Sequence, residues 1–182
     1  MPFNFKKCEI DGPVIIEPKA FADGRGFFLE SYKKSDFIDN GINLEFVQDN
    51  HSLSSKGVLR GLHYQKPPCA QAKLVRVIKG AVWDVAVDIR KNSPTYRKWI
   101  SIELSENNKK MFFIPEGFAH GFVALTDEVH LLYKCSNEYS PACDAGIRWD
   151  DSDLAVKWPV DNPLLSDKDL VLPYLKDAEV FW

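Results

Sequence analysis

From Lys73 onward, apolar residues recur in short runs separated by clusters of turn-forming residues. Residues 73–78 form one such run, which passes through Lys79-Gly80 directly into residues 82–89, rich in β-branched side chains and interrupted by the polar Asp84. This pattern predicts a β-hairpin. After a turn at 91–95, residues 99–104 alternate between apolar and polar, and a second turn at 105–108 leads into 111–114. Two further runs, 121–125 and 129–134, flank the turn Thr126-Asp127-Glu128. Short strands at regular spacing favour a sandwich or barrel.

Helical signals are few. Residues 35–41 read as one short helix stopped by Gly41, and Ser166-Asp167-Lys168-Asp169 reads as the opening of another. The segment beyond Trp149, with Pro159, Pro163 and Pro173, is less regular. The expected fold is mainly β, in one domain spanning 1–182. Its core covers about 5–150, and a C-terminal cover of about 151–182 carries short helical pieces.

Composition narrows the function class. The chain has 182 residues, of which 45% are hydrophobic and 13% aromatic, as in a globular protein with one sizeable core. No run approaches the roughly 20 apolar residues of a membrane helix, and the start Met1-Pro2-Phe3-Asn4-Phe5-Lys6-Lys7 lacks the apolar centre of a signal peptide. The expectation is a cytoplasmic protein without a membrane partner. The net charge of −3 comes from 23 basic and 26 acidic side chains with no long block of either sign, which argues against a nucleic-acid surface. A small anionic ligand held by a few arginines stays open. Cys8, Cys69, Cys135 and Cys143 form no Cys-x-x-Cys, so reduced thiols are expected rather than a disulfide frame or zinc site.

Candidate chemistry gathers in two stretches, Val58-Leu59-Arg60-Gly61-Leu62-His63-Tyr64-Gln65 and Phe113-Ile114-Pro115-Glu116-Gly117-Phe118-Ala119-His120-Gly121-Phe122. Each sets one histidine among small and apolar residues, where an imidazole can move protons near neutral pH. The second stretch matches the Pro-x-Gly-x-x-His half of the metal-binding cupin pattern, but the first has Gln65 where that pattern needs a second histidine, and the glutamate that should follow is missing. The pattern therefore resembles a cupin that has kept its pocket and lost its metal. Arg60 and His63 arrive together beside Gly57 and Gly61, glycines that would let backbone approach a ligand closely. Lys73 opens an apolar strand on the side of Val75 and Val77, where a lysine needs a partner or a ligand. Tyr133 suits either core packing or catalysis. Arg25, in Asp23-Gly24-Arg25-Gly26-Phe27-Phe28, suits either a surface turn or a diphosphate site.

Taken together, these segments resemble the dTDP-4-dehydrorhamnose 3,5-epimerase family of cupin-like sugar-nucleotide enzymes, from about Phe5 to Tyr174. Further pieces carrying the resemblance are Phe46-Val47-Gln48-Asp49-Asn50, Lys73-Leu74-Val75-Arg76-Val77, Gly146-Ile147-Arg148-Trp149-Asp150-Asp151 and Leu165-Ser166-Asp167-Lys168-Asp169. The resemblance implies a cupin-like jelly-roll barrel or sandwich and a cofactor-independent isomerase in dTDP-L-rhamnose biosynthesis. The implied substrate is dTDP-4-dehydro-6-deoxy-D-glucose, whose C4 ketone acidifies the hydrogens at C3 and C5. By resemblance His63 is the base, supported by Asp169; Tyr133 is the acid; and Lys73 stabilises the enolate, with Arg60 near O4 or the phosphates. Arg25, Arg60 and Lys168 are implied to face the diphosphate, with Glu30, Gln48, Asn50, His120 and Asp144 as polar contacts. Tyr139 would stack on thymine, with Phe21 or Phe28 closing the other side. A homodimer, in which an N-terminal strand crosses to the neighbouring barrel, is also implied, and the apolar start Phe3-Asn4-Phe5 is compatible with it.

The chain departs from the family's usual pattern at Cys69 and Ala72, where histidine and glycine are common, and at Asp144, where glutamate is more usual. Other readings kept open are a single-carbon epimerase or ketoisomerase, a metal-dependent cupin oxygenase, and a non-catalytic sugar-nucleotide-binding protein.

Overall fold

The computed structural model of the chain describes residues 2–182. In chain order its strands are β1 (Phe3–Lys7), β2 (Val14–Pro18), β3 (Ala20–Asp23), β4 (Gly26–Leu29), β5 (Gln48–Ser54), β6 (Leu59–Gln65), β7 (Lys73–Lys79), β8 (Ala81–Asp88), β9 (Trp99–Ser105), β10 (Met111–Ile114), β11 (Phe118–Ala124), β12 (Val129–Cys135) and β13 (Asp144–Gly146). Helix α1 (Lys34–Asp39) precedes β5, and α2 (Asp167–Leu170) lies in the C-terminal segment. A six-stranded sheet, ordered β1-β2-β10-β7-β12-β5, faces a five-stranded sheet, ordered β13-β6-β11-β8-β9. The pair forms a cupin-like jelly roll. No helix is long and apolar enough to cross a membrane among the described residues.

The main core lies between the sheets, where Val75, Val77, Phe112, Ile114 and Leu131 from one meet Val82, Ala86, Leu104 and Phe122 from the other. Each fully buried side chain of this kind stabilises the fold by about 1.5–3 kcal/mol relative to exposure. A second cluster covers the outer face of the five-stranded sheet. There Leu62, Tyr64, Val85 and Val87 pack under Leu154, Leu175 and Val180 of the C-terminal segment. Strand β8 is therefore buried on both faces, and its sequence is almost continuously apolar instead of alternating. A third cluster joins Phe3, Ile16, Leu74 and Phe113 to Phe37 and Ile42, around α1.

One sequence expectation changes. The Lys79-Gly80 turn does not close a hairpin: β7 lies in the six-stranded sheet and β8 in the other, so the turn is a corner between sheets. The reason is that β8 takes β9 and β11 as its two neighbours, a choice made by distant pairing that a local turn signal cannot report. β1 pairs with β2, and the rings of Phe3 and Phe5 pack on Phe37 at 5.5 and 5.2 Å between centroids.

The element that does stand apart is the two-stranded β3–β4 hairpin, exposed along almost its whole length. Phe21, Phe27 and Phe28 there are 50%, 59% and 66% exposed.

Close approach of β6 and β11 depends on a pair of glycines. Gly61 has φ +128°, and a Cβ added there would meet the Gly121 Cα at 2.5 Å. Gly61→Ala combines left-handed backbone strain with a backbone clash at about 3 kcal/mol in total, so thermal unfolding should begin to cooperate about 6–12 °C lower than in the wild type. Calorimetry checks this, and an unchanged midpoint would contradict the packing role.

Candidate active site

Because β6 alternates, Leu62 and Tyr64 point to the outer cluster and His63 points into the barrel. The His63 Nε2 lies 2.5 Å from Asp169 Oδ1. Asp169 sits on α2, whose N-cap Ser166 uses its Oγ twice: it accepts from the Asp169 amide at 3.2 Å and donates to Asp169 Oδ2 at 2.7 Å. Burial alone would raise the Asp169 pKa, but hydrogen bonds from His63, Ser166 and the Gly61 backbone outweigh it and hold the carboxyl below its usual range. The carboxylate stays ionised and fixes the ring. The His63 side chain keeps 28% of its surface toward the cavity while protein surrounds the rest. Burial lowers its pKa, Asp169 opposes that shift, and Lys73 and Lys168 add to it. The result is a neutral, oriented imidazole.

Lys73 and Tyr133 come from the opposite sheet. Lys73 opens β7 and Tyr133 lies on the adjacent β12, both turned into the cavity that His63 lines. Burial lowers the Lys73 pKa, against the pull of Cys135, Asp84 and Asp144, and burial raises that of Tyr133. Arg60 borders the same space, held by hydrogen bonds from its Nε to Ser54 Oγ at 3.1 Å and from its Nη2 to the Leu53 carbonyl at 3.1 Å.

His120 is the cross-strand partner of His63 and joins it at the cavity wall. Its Nε2 lies 2.9 and 3.0 Å from the two oxygens of Asp84, a residue with no exposed surface. The sequence pattern had marked Asp84 only as an interruption in a strand. A carboxylate in a run otherwise buried on both faces was the signal that it has a dedicated partner.

At the far end of the cavity stand Gln48, Asn50, Tyr139, Asp144 and Lys168. Gln48 donates to Asn50 Oδ1 at 3.0 Å and accepts from the Tyr139 amide at 2.8 Å. Asp144 accepts from the Tyr139 hydroxyl at 3.2 Å and pairs with the Lys168 ammonium. Among the residues singled out in the sequence, Arg25 and Glu30 do not line this cavity. Arg25 is on the outlying hairpin, 91% exposed and paired with Asp23. Phe21 and Phe28 are on the same hairpin, away from Tyr139. Gly61 serves the approach of β11 instead of opening the backbone to a ligand.

Gln65, where a metal-binding cupin would have its second histidine, is turned to another task. Its Nε2 donates to the carbonyls of Cys69 and Glu138, and its Oε1 accepts from the Ser140 amide. Among the described residues, no group of three or more His, Cys, Asp or Glu side chains is arranged to hold a metal ion.

A jelly-roll pocket with a His/Asp pair on one wall and a tyrosine and a lysine on the other defines a cupin-like enzyme built for proton transfer. Comparison with known proteins carries this further: the chain belongs to the dTDP-4-dehydrorhamnose 3,5-epimerase family, whose sequence pattern it matches over residues 7–177. It is 55% identical over 179 residues to the dTDP-4-dehydrorhamnose 3,5-epimerase of Shigella flexneri, covering 98% of this chain and 99% of that one. The crystal structure of the dTDP-6-deoxy-D-glucose-3,5-epimerase of Legionella pneumophila in complex with dTDP-4-keto-L-rhamnose superposes with a TM-score of 0.93 at 46% identity, covering 96% and 94% of the two chains. A 3'-monoepimerase of Streptomyces bikiniensis in complex with dTDP-quinovose superposes with a TM-score of 0.88 at 35% identity, covering 93% and 86%.

The pKa directions fix the shape of the pH profile. Were His63 the base, it would have to be neutral to accept a proton, and with its pKa lowered the acid limb of kcat/KM should have its midpoint below pH 6.5. On the alkaline side Lys73, lowered from 10.5, loses its charge while Tyr133, raised from 10.0, keeps its proton. The upper limb should therefore begin below pH 10.5. A lower limb centred above pH 6.5 in steady-state kinetics would contradict this assignment.

Proposed function

We propose that the protein inverts C3 and C5 of dTDP-4-dehydro-6-deoxy-D-glucose to give dTDP-4-dehydro-L-rhamnose, by enolate formation and without a cofactor. The observation that carries this reading is that His63 and Tyr133 belong to opposing sheets and face each other across one cavity. Inversion requires a proton to leave one face of the carbon and another to arrive on the opposite face. A sugar ring between the sheets meets both needs.

His63 takes the proton from C3 or C5, made acidic by the C4 ketone, and Asp169 stabilises the imidazolium that forms. Negative charge moves to O4, where Lys73 and Arg60 act as donors, each worth about 3 kcal/mol in a water-poor site. Tyr133 returns a proton from the other face. Rotation of the ring within the pocket would bring the second carbon to the same base. Lys168 supports the diphosphate, Gln48, Asn50, His120 and Asp144 provide polar contacts, and Tyr139 stacks on the base.

Turnover in heavy water, followed by NMR, tests the scheme. Deuterium should appear at both C3 and C5. Label at a single carbon would favour a one-carbon epimerase, a reading supported by the likeness to the 3'-monoepimerase, and label at neither would remove both readings. His63→Ala should reduce exchange at both carbons by about a thousandfold or more, because one base serves both. Tyr133→Phe should slow epimerisation while leaving some exchange.

The proposal extends to a homodimer. The β3–β4 hairpin presents three exposed phenylalanines and Arg25 on an element too small to be stable by itself, a combination that suits insertion against a second copy. On that reading, Arg25 and Glu30 of one copy serve the diphosphate end of the other's cavity. Sedimentation should give a dimer for the wild type, and Phe21→Asp/Phe28→Asp should give a folded monomer with a raised substrate KM. A monomeric wild type would exclude this arrangement.

A further inference from the structure

The four cysteines fall into two unlike sets. Cys8 and Cys135 lie apart from other thiols, and burial raises the pKa of each. Cys69 and Cys143, separated by 74 positions in the sequence, bring their Sγ atoms to 2.8 Å. A disulfide measures about 2.0 Å, so the sulfurs are within about 0.8 Å of bonding distance.

The backbone holds them there. The Lys66 amide donates to the Cys143 carbonyl at 2.8 Å, and the Cys69 amide donates to the Lys66 carbonyl at 3.0 Å, so one residue anchors both cysteines. The Gln65 side chain, 4% exposed, ties the Cys69 carbonyl to the Glu138 carbonyl and the Ser140 amide. These bonds hold the two backbone segments, and with them the two Cβ atoms, side by side. The two sulfurs are also chemically unequal. Their shared hydrogen bond, with contributions from Ser140 and Lys66, lowers the pKa of Cys143, while the same contact raises that of Cys69.

We propose that Cys69 and Cys143 form a reversible disulfide under peroxide, and that this bond clamps two walls of the substrate cavity together. The Cys143 thiolate attacks one oxygen of hydrogen peroxide, the O–O bond breaks, and the departing hydroxide leaves as water after taking up a proton. Cys69 then attacks the sulfur of the Cys143 sulfenic acid, the S–O bond breaks, and the hydroxyl leaves with the Cys69 proton as a second water. Two thiols lose two electrons and the peroxide gains them. A dithiol reductant reverses the bond.

The consequence for the pocket follows from chain connectivity. Cys69 lies on the loop that leads from His63 on β6 through Gln71 to Lys73, and Cys143 immediately precedes Asp144, on the segment that carries Tyr139. Closing the sulfur pair draws the Tyr139–Asp144 wall toward the Gln71–Lys73 wall and narrows the cavity mouth between them. This second effect rests on the proposed epimerase activity, whereas disulfide formation does not.

The full-length protein, treated with hydrogen peroxide under native conditions, should fall from four titratable thiols to two, with an intact mass lower by two hydrogens. Peptide mapping should join Cys69 to Cys143, and dithiothreitol should restore all four thiols. The oxidised form should unfold about 5 °C or more above the reduced form and show a KM for the keto-sugar raised about threefold, with kcat within about twofold. Cys69→Ser should keep the KM of the reduced wild type before and after peroxide and should trap Cys143 as a sulfenic acid that dimedone captures. Retention of four thiols, or a disulfide that still forms in Cys69→Ser, would overturn the pair. An unchanged KM in a verified disulfide form would overturn the clamp. Absence of turnover by the reduced protein would count against the epimerase reading alone, since the thiol titration needs no substrate.

Discussion

The hydrogen bond between His63 and Asp169 spans 106 positions of sequence and joins the barrel to its C-terminal cover. Each side of it depends on structure built elsewhere. His63 faces inward because Leu62 and Tyr64 are anchored in the outer cluster, and Asp169 reaches it because α2 begins at Ser166, whose hydroxyl engages both the amide and the carboxylate of that residue. The cover is held over the sheet by Leu154, Leu175 and Val180, so apolar packing on the outside of the barrel sets the orientation of an imidazole on the inside. Loosening that packing would leave a histidine without its fixed tautomer.

A second constraint is that a polar cavity has been opened at one end of a core that is otherwise closed. Three of the ionisable groups around it are paired: His63 with Asp169, His120 with Asp84, Lys168 with Asp144. Gln65 is instructive beside them. At the position where related pockets hold a metal ligand, its amide is spent on three backbone groups of two loops, and the pocket wall gains rigidity where it would have gained an ion.

Much of this was legible in the sequence because it is local. The strands from Lys73 to Lys134 announced themselves through β-branched runs and turns, α2 through its Ser-x-x-Asp start, and the inward lysine through its phase with Val75 and Val77. What could not be read was which strands share a sheet. The Lys79-Gly80 turn has the chemistry of a hairpin, yet it joins two sheets, because the neighbours of β8 are chosen by burial on both of its faces. The partnership of Asp84 with His120 was hidden for the same reason: 36 positions and a strand pairing separate them. Arg25 and Glu30 were identified through resemblance, and within a single chain the hairpin holds the arginine away from the cavity.

The dependence of the His63 ring on the C-terminal cover also has a temporal side. A ribosome makes the walls first: β6, β7 and β12, with His63, Lys73 and Tyr133, emerge well before α2. A nascent barrel can therefore contain nearly every group that touches the cavity and still lack the carboxylate that steadies its imidazole. If His63 is the base, competence waits on docking of the late segment, because the carboxylate that orients the ring and the apolar side chains that cover the outer sheet arrive together.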